Sequence, residues 1–183
     1  MKNLKRSAIP FLVVAAGAAF SSMAHAADGT VNFNGKVIAS TCSVEGGSDL
    51  SVPLPPVSTT ALADVGSVAG RSAFSLALKG CTTGDKNPVK VGVIFENGAS
   101  VDQSSGRLVI DSGDNAAEGV QINVLNDQQN LIPIGAQTGA NTQMADIDAD
   151  GNAKLNYFAE YYASGAVKAG DASTRVEYSL IYQ

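Results

Sequence analysis

The chain is predicted to be an all-β sandwich of the immunoglobulin type. Short segments in which apolar and polar residues alternate recur along it, separated by turn residues that include many of its 19 glycines. No segment sustains a 3.6-residue apolar period with helix caps, so little helix is expected. Two cysteines are placed to tie early strands together; that both lie in the first half, with no tryptophan for the core, argues against a standard antibody-type domain.

The first 26 residues are expected to be removed. Lys2, Lys5 and Arg6 form a basic head, Ala8 to Phe20 is an apolar run too short to span a bilayer, and Ala24-His25-Ala26 offers the small residues a signal peptidase reads. Residues 1–26 are therefore a signal peptide, and 27–183 have the length of one domain with its own core.

Export changes the chemistry available. The only histidine, His25, leaves with the signal peptide, and there is no tryptophan. Nine basic against 17 acidic residues remain, a net charge of −8. Such a chain is a poor partner for nucleic acid or anionic lipid, and no mature segment is apolar for long enough to insert in a membrane. Cys42 and Cys81, in an oxidising compartment, are expected to form one structural disulfide. Closing a loop of about 40 residues is worth roughly 4 kcal/mol in the chain-entropy model. There is no C-x-x-C, and no histidine to complete a zinc site.

Gly29-Thr-Val-Asn-Phe-Asn-Gly-Lys-Val-Ile38 begins the mature part as a strand pattern. Ala27, Gly29, Val31, Phe33, Gly35 and Val37 share one face, opposite Asp28, Thr30, Asn32, Asn34 and Lys36. This is either the first strand of the sandwich or a strand meant for a neighbouring molecule. Ser48 to Pro53 reads as a brief strand ended by Pro53, Pro55 and Pro56, which cannot donate to a ladder. Ser58 to Val68 reads as a loop with one short helical turn. Ala73 to Leu78 alternates and runs into Gly80-Cys81.

Val89 to Phe95 alternates and is followed by the turn signal Asn97-Gly98. Arg107 to Ile110 is a short strand, and Asp111 to Ala116 a turn region. Val120, Ile122 and Val124 mark the next strand, which Asn126-Asp127 turns. Leu131 to Ile134 is another short strand, Gly135 to Met144 a polar loop, and Ala153 to Ala163 a longer strand. Gly165 to Gly170 is expected to turn the chain, and Thr174 to Tyr182 to be the last strand, with Val176, Tyr178, Leu180 and Tyr182 on one face. An apolar strand that ends one residue from the C-terminus leaves an edge that either an internal strand of the same chain covers or another chain pairs with.

Several signals are set aside. Asp146-Ile-Asp-Ala-Asp-Gly151 copies the opening of an EF-hand loop, but Tyr157 stands where the bidentate Glu belongs. Asp111, Asp114 and Glu118 sit in a Gly/Asn-rich loop and read as solvated. With no histidine, no Gly-x-Ser-x-Gly elbow and oxidised cysteines, no catalytic machinery and no cofactor site is visible; an enzyme is not expected.

Taken together, Gly29-Thr-Val-Asn-Phe-Asn-Gly-Lys-Val, the Cys42 and Cys81 spacing, Val57-Ser-Thr-Thr-Ala-Leu62, and Gly170 (fourteenth from the end) with penultimate Tyr182 resemble the major pilins of type 1-like fimbriae. These are assembled by the chaperone–usher route of Gram-negative bacteria. The resemblance spans the whole chain. It implies an incomplete immunoglobulin-like sandwich lacking its seventh strand, completed by a donor strand from a chaperone or a neighbouring subunit; chaperone–pilin complementation is an established case of β-strand addition. It also implies three parts: signal peptide 1–26, an N-terminal donor-strand extension 27–41 and a pilin domain 42–183.

By residue, the resemblance makes Ala27, Gly29, Val31, Phe33 and Gly35 the donor strand. Gly170, Val176, Tyr178, Leu180 and Tyr182 become the groove and chaperone-recognition strand. The implied partners are identical subunits in a homopolymer, a periplasmic chaperone, an outer-membrane usher, and adaptor or tip adhesin subunits. The implied destination is a cell-surface fimbria used in adhesion. The alternative is a minor adaptor pilin or tip-proximal adhesion component of the same system.

Overall fold

The computed structural model describes residues 30–35, 37, 42–82, 84, 87–135 and 139–183. It falls into two units, Met1–Val37 and Ile38–Gln183. In the first, Thr30–Gly35 and Val37 form no helix or strand, and Val31, Phe33 and Val37 are exposed, Phe33 to 92%. The strand expected here is therefore not formed by the described residues of the chain alone. Ala27 and Gly29 of the expected donor row, and the signal peptide, lie outside the described residues.

The second unit is all-β, with nine strands among its described residues: β1 (Ser43–Val44), β2 (Val68–Lys79), β3 (Lys90–Phe95), β4 (Val101–Asp102), β5 (Arg107–Val109), β6 (Glu118–Leu125), β7 (Met144–Asp146), β8 (Ala153–Lys168) and β9 (Tyr178–Tyr182). They make a six-stranded sheet, β1-β2-β8-β6-β5-β4, and a three-stranded sheet, β7-β3-β9, with antiparallel pairing throughout. The expected immunoglobulin-like sandwich is the architecture observed.

The core follows from period-2 alternation. Leu76 and Leu78 of β2, Ile122 and Val124 of β6, and Leu155, Tyr157 and Tyr161 of β8 are buried in one cluster with Val91, Val93 and Phe95 of β3. Tyr157 sits at its centre, stacked on Phe74 at 5.5 Å and met edge-on by Phe95 at 5.3 Å. Burial pushes its phenol well above the ordinary value. The short helical turn expected after Ser58 is a 3₁₀ helix, Thr59–Leu62, capped by the Ser58 side chain and pinned by buried Leu62.

Four expected boundaries are corrected. Ser48 to Pro53 is not a strand. Its prolines remove ladder donors, and the Ser72 hydroxyl donates to the Pro53 carbonyl instead, at 3.1 Å. Leu131 to Ile134 makes a single bridge, Leu131 to Leu125. Pro133 has no N–H to continue it; Ile132 N donates to Val124 O, while Ile134 N turns to Gly106 O.

The turn expected over Gly165 to Gly170 begins only after Lys168. Gly119, at a φ of 69°, bulges β6 so that its backbone lies against the Ala166 carbonyl, and pairing continues to Glu118 and Lys168. The last strand is shorter than expected, because Ser173 O accepts from Asp111 N and the Thr174 hydroxyl donates to Val109 O. Those residues belong to the crossing between the sheets, not to a ladder. The sequence reading also missed β1, β4 and β7, each two or three residues long and too short to show alternation.

The Asp146–Gly151 stretch is a polar turn. Asp148 accepts from the backbone N–H of Asn152 at 2.8 Å and of Asp150 at 3.0 Å, which holds its carboxyl below the ordinary range, while Asp146 pairs with Lys90 at 2.5 Å.

Candidate functional site: the open edge of the last strand

β9 lies at the end of its sheet, and β3 is its only ladder partner among the described residues. Lys90 and Gln183 exchange both backbone hydrogen bonds, at 2.9 and 3.0 Å, and Glu96 N donates to Glu177 O at 2.8 Å. In an antiparallel pair such hydrogen-bonded pairs recur every second residue. Residues 177, 179, 181 and 183 therefore bond toward β3, and the N–H and C=O of Tyr178 and Leu180 point away from it. That side is a row of backbone donors and acceptors ready for another strand.

The side chains of the same strand are apolar and only half buried. Val176, Tyr178, Leu180 and Tyr182 pack against the core cluster without being enclosed by it, unlike Val91, Val93 and Phe95 on neighbouring β3. A second half-buried row, Val44, Val52, Leu54 and Val57, borders the same core from β1 and the segment after it. β1 is in turn an end strand of the six-stranded sheet. The Tyr178 hydroxyl donates to the Ser48 carbonyl at 2.7 Å, which ties β9 to the segment after β1. Burial, and then the charge of Asp49, raise the Tyr178 phenol above its ordinary value.

Cys42 and Cys81 are bonded, S–S 2.09 Å, joining the residue before β1 to the residue two beyond the end of β2. The Cys81 N–H donates to Gly151 O at 3.0 Å, which fastens the bridge to the turn leading into β8. Cys42, Cys81, Pro88, Ile147 and Tyr182 line a cavity of about 10 Å³ beside it, so the bridge marks the Tyr182 end of the open edge.

The structure thus brings Val176, Tyr178, Leu180 and Tyr182 together on one edge. Gly170 lies elsewhere, eight residues before β9 and against the backbone of Asn115 to Ala117. The row from Val44 to Val57 and the Ser48 carbonyl were not singled out from the sequence. Their only signal was a run of apolar residues spaced by prolines, which read as a loop. Among the described residues no three His, Cys, Asp or Glu side chains gather as metal ligands would.

Comparison with known proteins gives this geometry its context. The family described as FimA: Type-1 fimbrial protein, A matches residues 54–183. Major fimbrial subunit SMF-1 of Stenotrophomonas maltophilia is 42% identical over 165 residues, covering 87% of this chain and 95% of that protein. The F17 fimbrial protein of Escherichia coli is 39% identical over 181 residues, covering 96% and 98%. Among solved structures, a chaperone–usher pilus studied for rod uncoiling matches with a TM-score of 0.60 and 25% identity over 86% of this chain and 96% of that one. The P pilus rod subunit PapA has the same TM-score at 23% identity, covering 78% and 99%, and bears on the fold alone. The chain belongs to the type-1 fimbrial protein family, and is a non-enzymatic structural subunit of surface fimbriae.

Proposed function

We propose that the subunit polymerises by strand addition along the outer edge of β9, the donor being residues 27–41 of another copy. The observation that carries this reading is the one-sided pairing of β9, with the Tyr178 and Leu180 backbone groups turned outward beside a half-enclosed apolar row. The extension suits the donor role: Val31 and Phe33 share one face of an extended chain and are 76% and 92% exposed in the single subunit. Each would contribute about 1.5–3 kcal/mol on full burial, and each ladder hydrogen bond about 0.5–1.5 kcal/mol. Because donor and edge are different parts of one molecule, the contact is head-to-tail and builds an open filament.

Before polymerisation the same edge must be covered, since an open apolar edge invites aggregation. A periplasmic chaperone supplying a temporary strand fills that need, and an outer-membrane usher is where one strand replaces the other. The fimbrial relatives support these partners. Adaptor or tip adhesin subunits would use the same joint.

The test is a denaturing gel of material sheared from the cell surface, run with and without strong heating. A ladder of subunit multiples that collapses to one band on heating is the expected result. A monomer band in both lanes would overturn the reading.

A further inference from the structure

The Tyr178–Ser48 hydrogen bond joins the edge strand of one sheet to the segment that leaves the end strand of the other. A strand pairing with β9 must lie about 4.8 Å from it, and would need a similar spacing from whatever flanks it on the far side. The Tyr178 side chain, packed on the core face, reaches the Ser48 carbonyl at 2.7 Å and ties the edge strand to the segment that follows β1. Tyr178 also sits at the first position of β9, with four residues of ladder after it and Val176 before it. The bond therefore falls within the edge, between its Tyr182 end at the disulfide and its Val176 end, and not beyond it.

We infer that the Tyr178 hydroxyl and the Ser48 carbonyl form a latch across the open edge, which must release before a donor strand can pair along the whole of β9. The inference rests on the donor-strand reading above and adds to it a residue that sets the rate of strand entry. Three features of the latch suit this role. Ser48 accepts through its backbone, in a segment that forms no ladder, so its position can yield without breaking a sheet. The Tyr178 ring packs against the core cluster, which holds its hydroxyl toward the Ser48 carbonyl. And the outward backbone groups of Tyr178 and Leu180 offer an entering strand hydrogen bonds that replace the one lost.

The latch would have a consequence for handling the free subunit. While closed, it ties together the two segments that carry the half-buried rows and limits the apolar surface shown to solvent. Opened, it exposes them together. A subunit so built resists casual strand addition yet remains competent for a donor that binds stepwise, starting from one end of the edge and displacing the latch as it advances.

The experiment compares the full mature chain with its Tyr178→Phe variant, which keeps the ring and deletes only the hydroxyl. A fluorescent peptide of residues 27–41 is added in excess, and its uptake is followed by anisotropy. Far-ultraviolet circular dichroism and an intact Cys42–Cys81 bridge establish that the variant is folded. The expected result is uptake about two- to tenfold faster in the variant, the effect of one hydrogen bond removed from the closed state. Uptake at equal rates overturns the latch and leaves the donor-strand reading in place. No uptake by either protein overturns the donor-strand reading and the latch with it. If the variant does not fold, Ser48→Pro, which alters the backbone that presents the carbonyl and keeps Tyr178, must show the same acceleration or the latch is rejected.

Discussion

A Cβ placed on Gly170 would stand 2.5 Å from the carbonyl carbon of Ala116. It would be as close to Ala117 N and Asn115 O. These are backbone atoms that cannot swing aside. Around the contact, Asp171 N donates to Asn115 O at 2.7 Å, Ala117 N donates to Asp171 O at 2.8 Å, and Ala116 bridges Asp171 in parallel. Gly170 thus lets the chain leave β8, lie flat on the β5–β6 connection, and cross to the sheet that receives β9.

Gly170→Ala is therefore expected to destabilise the domain by about 1–3 kcal/mol, as overpacking does. Gly98→Ala, where a Cβ meets nothing within 4 Å, is the control and should change little. Urea midpoints of the two variants decide the matter. Equal midpoints would remove the packing role from Gly170.

Glu160 is 3% exposed on β8, and accepts from Arg71 Nε at 2.7 Å and Asn123 Nδ2 at 2.9 Å. Arg71 reaches it from a bulge in β2 opened by Gly70, and Arg107 donates to Asn123 at 2.8 Å while lying 3.8 Å over the Tyr162 ring. Arg71→Ala should cost about 1–3 kcal/mol: it leaves a buried carboxylate with one neutral donor, but on a side open enough for water to help. A double-mutant cycle with Glu160→Gln should show coupling. Additive losses would mean that the pair is incidental.

Phe33→Asp should leave the folded subunit as stable as the wild type, since Phe33 is 92% exposed there. It should abolish polymerisation, because a carboxylate would have to enter an apolar edge. The heat-sensitive ladder on a denaturing gel reads the effect. Fibres of normal length from this variant would reject Phe33 as a donor residue.

Asp102 accepts hydrogen bonds from the Ser104 hydroxyl and, in turn, Gln121, Ser104 N and Ser105, which hold its carboxyl well below the usual carboxylate range. A carboxyl depressed on folding stabilises the native state above its unfolded value of about 3.9, and that contribution is lost as pH falls through the lower folded value. Asp102→Asn should therefore lower the melting temperature at pH 7. The gap from wild type should narrow below about pH 4. A gap that stays constant with pH would mean that the charge of Asp102 contributes nothing.

The extent to which the fold is legible in the sequence differs from strand to strand. Val91, Val93 and Phe95, and Leu155, Tyr157 and Tyr161, are found by alternation because a strand's in-and-out period is a local property of the chain. The continuation of β8 through Gly165 to Lys168 is not, since a glycine that reads as a turn stays in a strand when a bulge at Gly119 offers it a partner. Pro53, Pro55 and Pro56 point the other way: they rule out a central strand, but not that Val52, Leu54 and Val57 still pack on the core.

The sequence by itself determined that this is an exported all-β chain with paired cysteines, an alternating segment just before the first of them and an apolar strand near Gln183. Those properties follow from composition and period-2 patterning, which need no knowledge of neighbours. Only the tertiary structure decided that β9 pairs with β3 on one side, that Tyr178 reaches Ser48 across 130 residues of chain, and that Gly170 packs on Ala116 rather than joining the edge. Each is a contact between distant segments, and which distant strands meet is set by how the whole core packs, not by the pattern within any one of them.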